Sequence, residues 1–538
     1  MAGVAAGAMS DEAAQRPASA AVVERRLDDL VRAHELRRRQ LPRAIAVGLL
    51  AGLIAVAFRW SLSAVELARD RLTELAHGWG LAGIAAPLAL AIGGAVLSTA
   101  LVRRFAPEAG GSGIPHLKAV FDHLRSLAWA RVLPVKFVGG VLAIGGGLAL
   151  GREGPTIQMG GAVGQMVGGW LRCTPRERRT LIAAGAGAGL SAAFNAPLAG
   201  LVFVLEELQR DFGAHVFAAT LAASVTADIV ARLLMGQSPV FRVTIDTIPE
   251  LDLLVLAGIV GVAAALGGVA FNRGLLASLS AFDRLRERFR LAPAMVAGAL
   301  VGLTLWWAPA LVGTGHVLTT TMLAGDLGAA ALVGIFVVRF ALTLVSYGCG
   351  APGGVFAPML ILGGALGLAI AAVAGAVLPL TPNDVRAVAV VGMAAYFAAV
   401  VRAPLTGIVL MIEMTGQYAL ILPLALASAV AFGTAEWLRD PPLYRSLLER
   451  ELRAARAAQP LADPLLLDLT IAAGAPFDGR RVRDLALPPG ALLVSIERGG
   501  AHLVPTADSL VGDGDRIHVI VAPEAAAAVT LLRHGAGA

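Results

Sequence analysis

The stretch GGGLALGREGPTIQMGG, Gly145 to Gly161, places Arg152 and Glu153 side by side between two apolar runs. The chain around it has 538 residues, of which 57% are hydrophobic and only 15% are charged, and its mean hydropathy is +0.74. A soluble protein of this length does not have so apolar a composition. The sequence therefore predicts a membrane protein with several spans and with a carboxylate at membrane depth.

Apolar runs recur along the chain, and several are shorter than a full crossing. Short, glycine-rich segments of this kind predict broken or half-spanning helices, which a membrane tolerates only where protein or a wet cavity covers the freed backbone groups. This pattern is typical of a transporter or channel rather than an enzyme. The predicted spans are Ala44–Phe58, Leu81–Val102, Val132–Leu150, Leu253–Phe271, Met295–Val312, Ala330–Val345, Val355–Leu378 and Ile421–Phe432.

Residues 1–43 lack an apolar core and end in ERRLDDLVRAHELRRRQLPR, which predicts a cytoplasmic helix rather than a signal peptide. Arginines just before the first span place this end in the cytoplasm. Because the net charge of +6 is mostly arginine at membrane edges, it indicates contact with lipid headgroups and no nucleic-acid partner. With two cysteines, Cys173 and Cys349, and no clustered histidines, the sequence predicts no disulfide, no metal and no cofactor.

Three pairs of short motifs indicate that the membrane part is duplicated. The pairs occur in the same order and at nearly the same offset, which predicts two repeats of about 44–235 and 250–448. Whether the repeats are inverted stays open at this point. The pairs are GSG at Gly111–Gly113 with GTG at Gly313–Gly315, GREGP ending at Pro155 with GGVFAP ending at Pro358, and APLAGLVFVLE at Ala196–Glu206 with APLTGIVLMIE at Ala403–Glu413.

Each of these motifs places Gly, Ser, Thr or Pro directly before an apolar helical run, which is typical of a helix N-terminus with free backbone N–H groups. Such ends attract anions, because the amides and the helix dipole stabilise negative charge without a lysine. Several half-helix ends meeting near the midplane would form a neutral, low-affinity site. The predicted substrate is a small anion.

Four segments resemble the signature segments of the CLC chloride channel and transporter family: GSGIP, GREGP, AAFNAPLAGLVFVLEE (Ala192–Glu207) and GGVFAP. The resemblance runs from roughly the first span to PPLYRSLL at Pro441–Leu448. It implies an all-α fold of two inverted repeats, built from full and half-spanning helices. It also implies a homodimer in the cell inner membrane, with both termini cytoplasmic and an anion pathway in each subunit.

The resemblance also assigns roles to residues. Glu153 resembles the family's gating glutamate, which occupies the chloride position when deprotonated and leaves it when protonated, so that one carboxylate competes with chloride and carries protons. The alternative for Glu153 is a helix-capping carboxylate or a partner for Arg152. The implied chloride-binding residues are Ser112, Tyr444, Gly354, Val355, Phe356, Arg152 and Gly154.

Glu206 and Glu207 end the apolar run VFVLEE. Glu207, at the second position of this pair, resembles the inner proton acceptor of exchanger members of the family, whereas channel members usually carry a nonpolar residue there. Glu207 therefore favours a chloride/proton antiporter over a passive chloride channel, and an interfacial helix end is the alternative. Glu206 matches Glu413 through the repeat, and we expect both to cap helices or make polar contacts. Lys136, inside an apolar run, is either a snorkelling or paired lysine or a source of positive potential for the anion.

After Tyr444 the sequence becomes charged, which predicts a linker over 449–463. From 464 to 538 short alternating runs, Ala491–Arg498 and Arg516–Pro523, lie between Gly/Pro turns and predict a small α/β domain. This part is similar to the TrkA-C subdomain of potassium-transport regulators, which implies a cytoplasmic module that binds an unknown ligand or only strengthens a dimer. A potassium transporter is disfavoured, because no TVGYG-like filter segment occurs.

Overall fold

The computed structural model describes residues 5–209, 213–237, 241, 252–324, 327–458, 465–498, 501–522, 525 and 528–537, with backbone only for 5–38, 214, 252, 454–458 and 530. The chain divides into two compact units, Met1–Leu448 and Glu449–Ala538. The first unit is helical, and the second contains a small sheet. The predicted cytoplasmic helix 1–43 and linker 449–463 lie partly outside the described residues.

The helices of the first unit differ widely in length, as half-spanning helices require. Its first helix continues without a break from the charged N-terminal segment through the first predicted span. The helices are α1 (Ala5–His77), α2 (Ala85–Phe105), α3 (Ile114–Phe121), α4 (Trp129–Gly145), α5 (Glu153–Trp170), α6 (Pro175–Phe194), α7 (Pro197–Phe203), α8 (Ala214–Met235), α9 (Asp252–Arg288), α10 (Ala292–Trp307), α11 (His316–Ala324), α12 (Ala329–Gly348), α13 (Phe356–Ala374), α14 (Pro382–Val401), α15 (Pro404–Thr415) and α16 (Ile421–Trp437), and α17 (Leu443–Ala458) begins in this unit.

Among the described residues, eight helices are long and apolar enough to cross a membrane. Two of them, in α8 and α14, were not among the spans predicted from the sequence, because their mean hydropathies of 1.6 and 1.7 are the lowest of the eight. The predicted span Val132–Leu150 is too long at its C-terminal end. There α4 stops at Gly145, and Gly147, with φ +108°, turns the chain out of the helix.

The duplication is visible in matching local structure. Helix α6 begins with a capping box between Thr174 and Glu177, and α14 begins with one between Thr381 and Asp384. Both helices end in a residue with left-handed backbone, Asn195 in the first case and Arg402 in the second, and each is followed by a short helix that starts with proline.

The paired helices of each repeat pack through glycines. A Cβ on Gly160 of α5 would lie 2.1 Å from the carbonyl oxygen of Gly185 on α6. At the corresponding place in the second repeat, a Cβ on Gly363 of α13 would lie 2.4 Å from the carbonyl oxygen of Gly392 on α14. Backbones this close require residues without a side chain, as is common between membrane helices.

The second unit contains an antiparallel sheet with the strand order β1-β4-β2-β3. Alternate residues of its strands, such as Ile517 and Val519, are buried against α18 and the loops, while the residues between them form a second, more polar face. This confirms the predicted small α/β domain. The elements are β1 (Leu465–Thr470), β2 (Ala491–Arg498), β3 (Ala501–Leu503), β4 (Arg516–Val521) and α18 (Ala528–Ala536).

Candidate functional site

The repeated motifs are joined to each other by backbone hydrogen bonds. Gly151 and Gly354 exchange two such bonds, with N···O distances of 2.6 and 2.7 Å. The N–H of Gly353 donates to the carbonyl of Gly111 at 3.0 Å, and the N–H of Gly111 donates to Ala351 at 3.2 Å. The loops that precede α3, α5 and α13 therefore meet at one place.

Three of the predicted site residues lie in direct contact there. A Cβ on Gly154 would lie 2.8 Å from the carbonyl oxygen of Ser112, and a Cβ on Gly354 would lie 3.0 Å from the amide nitrogen of Gly154. Only glycine permits this approach. Since Gly154 is in the first turn of α5 and Gly354 precedes α13, the helix N-termini that carry the partial positive charge converge beside Ser112.

Ser112 is fully buried between two glycines with left-handed backbone. Gly113 has φ +80° and is the N-cap of α3. The N–H of Ser112 donates to the hydroxyl of Tyr347 at 3.4 Å, and its own hydroxyl accepts from Ile114 at the same distance. Sequence reasoning missed Tyr347, which lies at the end of α12 and belongs to none of the repeated motifs.

Tyr444 lies in the first turn of α17 and is also fully buried. Its hydroxyl has no hydrogen-bond partner among the described residues. Tyr347, Glu153 and Glu207 are all near enough to act on it electrostatically. A buried hydroxyl without a partner is costly, and an anion acceptor would satisfy it.

Glu153 begins α5, and its side chain is 3% exposed. The backbone N–H groups of Glu153 itself and of Ala357, in the first turn of α13, are near enough to stabilise its carboxylate. The nearest cation, Arg152, is 3.8 Å from one carboxylate oxygen, which is longer than a hydrogen bond, and the other oxygen has no partner in the described part of the chain. The carboxylate therefore lies beside helix-terminal amides, where a free anion would also be favoured.

A small cavity, partly open to solvent, adjoins Glu153 and leaves about 30 Å³ for the centres of water-sized molecules. Arg152, Phe194, Thr319 and Ala357 are among the residues that line it. The guanidinium of Arg152 supplies positive charge to this cavity without a close carboxylate contact. Glu153 therefore borders a small space that is also lined by the first turns of α13.

Phe356 is the first residue of α13, and it is fully buried in an aromatic cluster. Its ring centroid lies 4.5 Å from that of Phe397, 5.4 Å from that of Phe194 and 6.2 Å from that of Phe203. These tilted and edge-to-face contacts fix the start of the helix. Val355, the N-cap of the same helix, is also fully buried.

Glu207 lies in a π-helical segment, Val204–Leu208, that continues α7. It is buried, with 1% of its surface exposed, so that it is not an exposed helix end. The ammonium of Lys118 on α3 donates to the carboxylate of Glu207 at 2.5 Å and to the backbone carbonyl oxygen of Glu207 at 3.0 Å. Sequence reasoning missed Lys118 as the partner of Glu207, because 89 residues separate the two.

Glu206 and Glu413 cap helices of the opposite repeat. The carboxylate of Glu206 accepts from the N–H groups of Leu405 and Thr406 at 3.0 and 2.7 Å, at the start of α15. The carboxylate of Glu413 accepts from Leu198 and Ala199 at 3.0 and 2.8 Å, at the start of α7. This confirms the expectation that the pair caps helices.

Lys136 is fully buried, and its ammonium donates to the carbonyl oxygens of Ala109 and Gly111 at 2.9 and 2.6 Å. Lys136 is thus hydrogen-bonded as the first alternative expects, and its role as a source of positive potential for the anion stays a prediction. Its contacts hold the loop that leads to Ser112.

Two sequence families match this chain. The family described as Voltage gated chloride channel matches residues 93–436, and the family described as TrkA-C domain matches residues 466–532. The first match includes the motifs at Ser112, Glu153, Glu207 and Phe356.

Proteins with assigned functions are similar over most of the same region. The H(+)/Cl(-) exchange transporter ClcA of Vibrio cholerae is 41% identical over 423 residues, which are 77% of this chain and 90% of that protein. The protein of the same name from Klebsiella pneumoniae is 41% identical over 426 residues, which are 77% of this chain and 89% of that one.

Solved structures have the same architecture. A slow cyanobacterial Cl-/H+ antiporter is 38% identical, with a TM-score of 0.75 over 78% of this chain and 99% of that one. A eukaryotic CLC transporter, 24% identical, has a TM-score of 0.66 over 77% of this chain and 74% of that one and supports the fold alone.

Proposed function

The chain belongs to the voltage gated chloride channel family, and we propose that it is a multi-pass membrane transporter that exchanges chloride for protons. The observation that carries this proposal is the Glu153 carboxylate, buried beside the start of α13 in a position suited to a free anion. A carboxylate that is part of the chain and lies in an anion site competes with chloride for that site, and the same carboxylate can carry a proton.

Chloride would bind where the helix N-termini meet. The Ser112 and Tyr444 hydroxyls donate to it, and the Tyr444 hydroxyl is otherwise unsatisfied among the described residues. The amides of Gly354, Val355 and Phe356 complete the site, and Arg152 and Gly154 line its outer part. Amide and hydroxyl donors bind an anion without a full countercharge, which favours rapid release.

Glu153 would couple the two ions by exclusion. When it is deprotonated, its carboxylate occupies the amides at the start of α13, and chloride cannot bind there. A proton neutralises the carboxylate and weakens its attraction to those amides, so that the side chain leaves them and chloride enters. Each cycle thus links one protonation of Glu153 to the entry of chloride.

Glu207 would exchange protons with the inner solution, and Lys118 would hold its carboxylate in place. A passive chloride channel needs no acceptor at this position. The buried ion pair between Glu207 and Lys118 supports the exchanger, since burying a carboxylate at membrane depth is costly without a role.

We further propose that the protein works as a homodimer in the lipid bilayer of the inner membrane, with both termini cytoplasmic. The family resemblance and the arginine-rich segment before the first span support this arrangement. The proposed divisions are a cytoplasmic helix at 1–43, a membrane domain at 44–448, a linker at 449–463 and a regulatory domain at 464–538.

The test is proton uptake by sealed proteoliposomes, driven by a chloride gradient at a voltage set by valinomycin and potassium. Uphill proton movement is expected for the wild type and for Glu287→Gln, which changes an exposed glutamate at the end of α9. Glu153→Gln should pass chloride without protons. Glu207→Ala should lose proton movement and keep part of the chloride flux.

Chloride flux without proton uptake in the wild type would make the protein a channel. Normal proton pumping by Glu153→Gln would refute the role of that carboxylate. Retained coupling in Glu207→Ala would assign the inner acceptor to another residue.

A further inference from the structure

The polar face of the sheet in the second unit carries two histidines and two carboxylates from all four strands. In the strand register Asp468 of β1 is opposite His518 of β4, and Glu497 of β2 is opposite His502 of β3. Ser495 of β2 is opposite His518, and Glu497 is two residues further along β2. Because opposite residues and residues two apart share a face, all four side chains point to the same side.

His518 is oriented by Asp468. Its Nδ1 lies 2.5 Å from a carboxylate oxygen of Asp468, and since a carboxylate only accepts, Nδ1 carries the proton. In the neutral ring, Nε2 then has no proton and offers its lone pair as an acceptor or metal ligand. This Nε2 is buried, has no hydrogen-bond partner in the described part of the chain, and lies 4.0 Å from a carboxylate oxygen of Glu497. A carboxylate behind one ring nitrogen is the usual support of a metal-binding histidine.

Glu497, His502 and His518 each offer one ligand atom, and these atoms all lie within 4.8 Å of one another. Ligand atoms around a tetrahedral zinc ion are about 3.4 Å apart, given metal–ligand distances of about 2.0–2.1 Å. Small side-chain rotations would close this gap, and His502 is exposed and able to rotate. Arg516 lies 3.8 Å from the Glu497 carboxylate, beyond hydrogen-bond distance, and its side chain is 57% exposed.

We propose that Glu497, His502 and His518 bind a divalent transition-metal ion of the Zn²⁺ class, with Asp468 as the outer partner of His518. Two imidazoles and one carboxylate suit borderline metals and leave a fourth position for water. The ion would tie the three-residue strand β3 to β2 and β4. The sequence alone gives no sign of this site, because its ligands come from three strands and form no spaced motif.

The experiment uses the full-length protein in detergent, stripped of metal with EDTA and then titrated with Zn²⁺ in the presence of a chromogenic chelator. The wild type is expected to bind one more Zn²⁺ per chain than His502→Ala or His518→Ala. His534→Ala, which removes an exposed histidine of α18, is the matched control and should bind as the wild type does.

Two further variants test the geometry. Asp468→Ala should weaken Zn²⁺ binding by about 10- to 100-fold, because it removes the support of His518. Arg516→Gln should tighten binding, because it removes a positive charge beside Glu497. His502 is exposed at the sheet edge, so its replacement tests the site without a risk to folding.

Equal Zn²⁺ binding by the wild type and His502→Ala would overturn the proposal, and so would the absence of Zn²⁺ binding in the wild type. Loss of binding in both histidine variants, with the control unchanged, would support it. These outcomes do not depend on chloride or proton transport.

Discussion

Glu206 and Glu413 each cap a helix of the opposite repeat, and this predicts which of the two replacements lowers the stability more. Neither α7 nor α15 has a side-chain cap of its own, since the residues before them are Ala196 and Ala403. The glutamates of the opposite repeats supply those caps. Replacing either glutamate with alanine leaves two backbone N–H groups of the other repeat without their acceptor.

The magnitude follows from the hydrogen bonds lost. A bond to a charged group contributes about 1.5–3 kcal/mol, and losses at one site are not additive. Glu413→Ala loses two bonds, one of them exposed, so we expect a cost of about 3 kcal/mol. Glu206→Ala also loses a bond of 2.7 Å from the Thr406 hydroxyl, so its cost should be greater by roughly 1 kcal/mol.

The assay is unfolding in mixed micelles of mild detergent and dodecyl sulfate, followed by tryptophan fluorescence. Thr406→Ala serves as the matched control, because it removes only the third bond to Glu206. It should cost about 1 kcal/mol alone and much less in the Glu206→Ala background. Wild-type stability of Glu206→Ala, or a larger loss in Glu413→Ala, would refute the capping argument.

Three other predictions concern single residues. Lys118→Met removes the cation that contacts Glu207, a loss of about 3 kcal/mol for a buried pair; chloride-driven proton uptake should fall and its pH profile should shift, while Lys118→Arg should restore both. Gly113→Ala forces a side chain onto φ +80° and should lower chloride flux and thermal stability, and unchanged flux would contradict the need for this backbone. In the second unit, the hydrogen bond from Arg498 holds the pKa of Asp515 below its usual range. The contribution of the Asp515 carboxylate to stability is therefore present above its unfolded-state pKa and is lost as the pH falls through the lower folded-state pKa. When the unfolding midpoint is measured against falling pH, Arg498→Gln should lose less stability than the wild type.

The features of the site that could be predicted were those encoded in short segments. The residues GSGIP, GREGP and GGVFAP combine glycine or proline with an apolar run, and this local pattern specifies a helix start whatever surrounds it. The structure brings Ser112, Gly154 and Gly354 into contact as that pattern suggests. The reciprocal match of Glu206 and Glu413 was visible because the repeat aligns them.

The features that could not be predicted depend on contacts between distant segments. Lys118 meets Glu207 only after α3 packs against the end of α7, and Tyr347 meets Ser112 only through the loop pairing of the two repeats. Helices α8 and α14 escaped detection because their mean hydropathies of 1.6 and 1.7 are the lowest of the eight candidate spans. In α14, where 83% of the apolar window is buried, contacts with neighbouring helices add to this weaker hydropathy.

The pairing of Gly151 with Gly354 has a consequence for the order of biosynthesis. The segment that contains Glu153 leaves the ribosome about 200 residues before the loop that pairs with it, and the caps of α7 and α15 are likewise divided between early and late parts of the chain. A nascent chain that stops after the first repeat has helix ends whose amides await acceptors not yet made. The anion site is therefore complete only after the second repeat has been synthesised, or when a separately expressed second half supplies that repeat.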